Sequence, residues 1–173
     1  MNLNKLVRAA IFAAMAIGLG FMFMLIPNLE FISITIFLSG LTLGVGYGAM
    51  VGGTAIFIYS VMNPLGSGLI YLPLLLGQVL AMVGIGILGA LSSRLFPVKN
   101  PLYFTIISGV FGMICALIYD GITTLAYPIS AGYDWNETVT YAITGLLFTA
   151  MHIVSNTVIF SLVIPNYIKR LPL

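Results

Sequence analysis

A single carboxylate interrupts a long apolar run: Asp120, in the stretch GMICALIYDGITTLAY (Gly112–Tyr127). A charged side chain in hydrocarbon is costly, and such groups mark ligand contacts, ion paths or proton relays. Gly109, Gly112 and Ala116 share its helical face, which turns Asp120 toward neighbouring helices rather than lipid. Two roles fit: contact with a ligand, or structural partnership with a tyrosine or with backbone groups near a helix kink. A second polar stripe reads Tyr141, Thr144 or Gly145, Phe148, His152, and Ser155 or Asn156. His152 is the one histidine in the chain. At about 1.5 Å per residue it lies about 22 Å below the start of a helix beginning at Glu137, at or below the floor of a pocket. A lone histidine in an apolar helix is more often hydrogen-bonded structure than a ligand contact. Tyr71 and Gln78 are two turns apart on another apolar segment. Asn28, Glu30, Asn63, Tyr127, Tyr133, Asp134 and Trp135 cluster around the breaks between segments. Tyrosine and tryptophan there are interfacial anchors, or, in the acid-containing loop GYDWNE (Gly132–Glu137), a lid over a pocket.

These groups do not assemble into a catalytic signature. No HExxH, GxSxG or P-loop occurs. His152 and Ser155 share a helix without an oxyanion glycine motif, which argues against an intramembrane serine hydrolase. One histidine and four scattered acids make a poor metal site. No cofactor is expected, and the chain reads as a non-enzyme. With no nucleotide motif, active transport would draw on an ion gradient or on another subunit. The two halves show no inverted repeat of the kind many secondary transporters carry.

The chain has 173 residues, of which 61% are hydrophobic and 6% charged, with a mean hydropathy of +1.16. Soluble domains carry about 25% charged residues, so the composition is that of a polytopic, all-α protein of the lipid bilayer. No polar linker divides it, so residues 1–173 form one domain. The lone Cys115 rules out an internal disulfide. The net charge of +2 is too small to suggest nucleic acid. Six apolar segments are expected, at about 5–26, 31–43, 49–62, 69–93, 101–128 and 137–167. The breaks between them are Pro27–Glu30, the glycine-rich Gly44–Gly48, Asn63–Gly68, the Pro97-containing basic loop Arg94–Asn100, and Ser130–Asn136. Segments two and three are barely long enough for about 30 Å of hydrocarbon and are candidates for tilted, broken or re-entrant helices.

The basic residues set an orientation. Lys5, Arg8, Arg94, Lys99, Lys169 and Arg170 all fall on one side of a six-span topology, which the positive-inside rule makes cytoplasmic along with both termini. Glu30, Asp134 and Glu137 fall at outer ends, and Asp120 in the outer third. Segment one has the charge order of a signal peptide, but its apolar stretch of about 18–20 residues exceeds a typical h-region, so it reads as a membrane helix. It carries two small-residue stripes, Ala9, Ala13, Ala16, Gly20 and, beside them, Ala10, Ala14, Gly18. Such faces allow close helix contact, either within the protein or with a partner.

Over its whole length the chain resembles the substrate-binding S component of energy-coupling factor (ECF) vitamin transporters. The resemblance rests on size, six helices with both ends inside, the AxxxA pairs Ala9–Ala13 and Ala10–Ala14, the stretch GLTLGVGYGAMVGG (Gly40–Gly53) and NPLGSG (Asn63–Gly68). It implies a protein of the bacterial cell membrane that binds a vitamin or similar micronutrient in an outer-side pocket formed by helices four to six and the loops. It further implies docking through helix one onto a coupling transmembrane subunit driven by two cytoplasmic ATPase subunits. Carried to this sequence, the docking face would be Ala9, Ala10, Ala13 and Ala14. The pocket would draw on Tyr71, Gln78, Tyr119, Asp120, Thr123, Trp135, Tyr141, Thr144, Phe148 and His152.

Overall fold

A computed structural model describes residues 2–96 and 100–170. Pro97 and Lys99, expected in the basic loop, lie outside the described residues. Six α-helices follow in order: α1 (Leu3–Phe23), α2 (Ile32–Leu43), α3 (Val45–Val61), α4 (Leu72–Leu91), α5 (Pro101–Ala131) and α6 (Trp135–Ile168). Single 3-10 turns at Gly68–Ile70 and Ser92–Leu95 flank α4. Among the described residues there is no strand. Leu3–Phe23, Leu72–Leu95, Pro101–Ala131 and Trp135–Ile168 are long and apolar enough to cross a membrane, whereas α2 and α3 are shorter apolar helices. The chain is thus an all-helical, multi-pass membrane protein.

Local sequence accounts for the helix ends. The Asn2 side chain accepts from the Asn4 and Lys5 N–H groups, and Asn100 does the same for Leu102 and Tyr103 ahead of Pro101. A reciprocal capping box starts α6: Asp134 accepts from the Glu137 N–H at 2.8 Å, and Glu137 accepts from the Asp134 N–H at 2.9 Å. Trp135 and Asn136, expected in the loop, therefore belong to the first turn of α6. Helix α5 continues through Pro128 to Ala131, past the expected end at 128. It closes with Gly132 in the left-handed region and the Tyr133 N–H donating to the Pro128 carbonyl at 3.0 Å. The break expected over Gly44–Gly48 narrows to Gly44 alone, at φ +96°. Gly46 and Gly48 stay helical in α3.

Helix α2 is the hub. Every residue from Ile32 to Gly40 is buried, and α2 packs against α1, α3, α4, α5 and α6. A helix enclosed on all sides can be apolar all round and needs no polar face. Close approach depends on glycine. A methyl group added at Gly40, Gly52, Gly86 or Gly89 would overlap a backbone carbonyl of the facing helix, and one at Gly112 would overlap the Asn156 carbonyl of α6. Toward the end where α2 meets α3, Phe37 packs against the rings of Phe111 and Phe160 at 5.5 and 5.3 Å. The Thr42 and Tyr167 hydroxyls pair at 2.9 Å, joining α2 to α6.

Gly86→Ala should lower the thermal unfolding midpoint of the purified protein, since overpacking costs about 1–3 kcal/mol. Gly84→Ala meets open space and should be neutral or gain up to about 1 kcal/mol from helix propensity. Equal effects of the two would contradict a glycine-dependent crossing.

Candidate functional site

At the end of the bundle opposite the basic residues, the α1–α2 connection folds inward. Phe23 and Phe31 pin its two ends, with ring centroids 4.7 Å apart. Asn28 takes a left-handed backbone, φ 58°, which asparagine tolerates better than most residues. Glu30 thereby comes to cap α2: its Oε2 accepts from the Ser33 N–H at 2.9 Å. A carboxylate at a helix N-terminus is favoured by the unsatisfied N–H groups there. Burial opposes ionisation of Glu30, but the His152 ring and the Ser33 N–H outweigh it and hold its carboxyl below the usual range.

His152 stands between two carboxylates. Its Nδ1 lies 2.9 Å from Asp120 Oδ1 and its Nε2 lies 3.4 Å from Glu30 Oε1. Only a ring with both nitrogens protonated donates to both. One turn further along α6, the fully buried Asn156 donates to the same Glu30 oxygen at 3.4 Å. The Tyr119 ring meets the imidazole edge-on, with centroids 5.9 Å apart. Its hydroxyl accepts from Gln78 Nε2 at 3.1 Å, and Gln78 Oε1 accepts from the Ser60 hydroxyl at 2.8 Å. Hydrogen bonds from Ser60 through Gln78 to Tyr119, the ring edge of Tyr119 on His152, and the His152–Glu30 contact thus link α3, α4, α5, α6 and the start of α2. Such groups are rare within a membrane bundle and are held by one another.

A cavity of about 230 Å³ opens on this network, with Glu30, Tyr59, Tyr119, Asp120 and His152 in its wall and the α1–α2 connection as its cover. A second cavity, of about 270 Å³, holds Ser60, Asn63, Tyr71 and Gln78, and Tyr59 borders both. The Gln78–Tyr119 hydrogen bond joins the two walls. Asp120 Oδ2 and Asn156 Oδ1 are buried without a partner, leaving acceptor capacity in the network unused.

The sequence-predicted residues divide between this site and other surroundings. Tyr119, Asp120 and His152 meet at the first cavity, and Gln78 reaches it through Tyr119. Tyr71 lines the second cavity, with its hydroxyl paired to that of Ser130. Tyr141 stacks on Tyr127 at 5.5 Å in a tyrosine cluster with Tyr133. The Thr123 hydroxyl returns to the Tyr119 carbonyl at 2.8 Å, and that of Thr144 to the Tyr141 carbonyl at 2.7 Å. Trp135 and Phe148 are 77% and 59% exposed on α6, away from both cavities. Glu30 and Asn156 complete the network, and Tyr59 lines both cavities. Glu30 is legible only as one of four acids beside a helix break, and Asn156 only by its spacing of four from His152.

The helix-one stripes also separate. Ala9, Ala16 and Gly20 are buried and Ala13 is half-buried, whereas Ala10, Ala14 and Gly18 are exposed. Ala9, Ala13 and the edge of Ala10 face α3 across a small apolar gap lined by Met50, Val51 and Thr54. No protein-family model, curated protein or solved structure matches this chain.

His152→Ala should destabilise the protein by about 3–5 kcal/mol, the usual cost of stranding a partner of a buried ion pair. Adding Glu30→Gln and Asp120→Asn should recover part of that loss in thermal unfolding. A triple variant no more stable than His152→Ala would contradict the bridge.

Proposed function

We propose that this chain is the substrate-binding S component of an ECF-type ATP-driven importer in the bacterial cell membrane. The observation that carries the reading is the cavity walled by Asp120, Glu30 and His152 at the end of the bundle away from the basic residues. A pocket with a few convergent polar groups is the default binding site in an apolar scaffold. In this reading all six helices lie in the membrane, with α2 enclosed by the others and α3 packed between α1 and α4. Both termini are cytoplasmic, and a vitamin or related micronutrient enters from outside. Two further features support it. The glycine-tight crossings of α2, α3 and α4 and the phenylalanine cluster around Phe37 fill the bundle toward the basic end, which suits capture without a channel. Ala10, Ala14 and Gly18 leave a flat strip on α1 for close contact with another helix. There the chain would dock on a coupling transmembrane subunit served by two ATPase subunits.

A second reading, a self-contained secondary transporter, draws on the His152 bridge, because a histidine between two carboxylates can relay protons. Proteoliposomes containing this chain alone discriminate: accumulation against an ion gradient favours the transporter, and none favours the importer subunit.

The importer reading predicts that the purified chain binds a member of a vitamin panel tightly and co-purifies with a coupling subunit; failure of both would sink it. Ala14→Leu should abolish uptake in cells while leaving ligand affinity within about twofold, since a small-residue helix face tolerates no bulk. Ala9→Leu, in the α1–α3 contact, should instead reduce stability. Normal uptake with Ala14→Leu would remove the docking role from that face.

A further inference from the structure

The geometry points to a small organic cation bearing N–H donors, an ammonium or amidinium group, as the occupant of the cavity at Glu30, Asp120 and His152. This assignment rests on the importer reading and narrows its substrate class. The charge balance carries it. Two carboxylates share one imidazole, with contacts of 2.9 and 3.4 Å. Even a doubly protonated ring leaves one negative charge over. Every described lysine and arginine sits at the opposite end of the helices, at the start of α1 or after α4 and α6. Among the described residues no other cation pairs with either carboxylate. Surplus negative charge in the wall of a cavity framed by apolar helices attracts a cation and repels an anion, so a cationic guest completes the site.

Hydrogen-bond capacity agrees. Glu30 takes Ser33, Asn156 and His152, while Asp120 takes only His152, through Oδ1. An N–H-bearing guest donates to the carboxylates of the cavity wall, whereas a carboxylate or phosphate would only add acceptors. The rings of Phe23, Tyr59 and Tyr119 border the same cavity, and aromatic faces attract cations within about 6 Å. At about 230 Å³ the space equals seven or eight waters at roughly 30 Å³ each, which suits one compact charged head group. Any bulkier portion of the guest would extend past the α1–α2 connection.

The test uses the full chain in lipid nanodiscs with three probes of nearly equal shape: benzylammonium, benzyl alcohol and benzoate. Affinities are read by titration calorimetry or ligand-observed NMR. Benzylammonium should bind at least tenfold more tightly than benzyl alcohol, with benzoate weakest, and Asp120→Asn should erase the preference. Glu30→Gln provides a second variant should Asp120→Asn fail to fold. Equal or tighter binding of the alcohol or benzoate would overturn the cation assignment while leaving the importer reading intact. Binding by none of the three, or a charge preference unchanged in both variants, would overturn it as well. The importer reading would fall separately, through an empty vitamin panel and the absence of a coupling subunit.

Discussion

The contact on which the rest of the structure depends is the bridge from Glu30 through His152 to Asp120. Glu30 caps the N-terminus of α2, the helix that every other α-helix touches. Asp120 and His152 belong to the α5–α6 hairpin. One imidazole therefore fastens the hub to the hairpin at the acidic end, while the Thr42–Tyr167 pair does so at the other. Inside a membrane protein apolar packing between helices has little preference over packing against lipid, so polar contacts and close backbone approach must specify the neighbours. Here the two devices are divided by depth. The polar bridge holds the end with the cavities, and the glycine contacts of α2, α3 and α4 hold the half toward the basic end.

That division leaves the acidic end open and the remainder filled. The α1–α2 connection covers the first cavity but is tied down by few groups: Glu30, the Phe23–Phe31 contact, and Asn28, whose side-chain nitrogen is buried without a partner. A larger apolar groove of about 460 Å³ lies between Pro27–Leu29 and α6 residues such as Met151 and Val154. A cover with few polar ties can open at low cost, which suits admission of a guest from the side facing away from the basic residues. Toward the basic end, the rings of Phe96, Phe111 and Phe160 pack around Phe37.

Much of this was readable from residue order, and the failures share a cause. Asp120 and His152 announce themselves because charge in an apolar helix is conspicuous, and the stripe of Gly109, Gly112 and Ala116 turns Asp120 inward as expected: Gly109 and Gly112 do face α6. The short α2 matches its sequence segment because Gly44 and the Pro27–Glu30 break bound it. Glu30 was harder to place. Its inward turn comes from the path of the α1–α2 connection, which periodicity does not encode. Tyr141, Thr144 and Phe148 share a sequence stripe with His152, yet the outer half of α6 packs along α5, so a common helical face does not become a common pocket. The turn expected over Gly44–Gly48 failed for a related reason: Gly48 serves helix contact, and its glycine type says only that something approaches closely. The two small stripes of α1 were equivalent in sequence. Packing against α3 separates them, burying Ala9 and leaving Ala14 outside.

Because His152 is the only histidine, labelling it with nitrogen-15 reports on the bridge without assignment of any other residue. In the protein as it stands, Asp120→Asn should shift chiefly the Nδ1 resonance and Glu30→Gln chiefly Nε2, each by its own hydrogen-bond partner. Ring resonances that ignore both substitutions, or that match a solvent-exposed imidazole, would contradict the account.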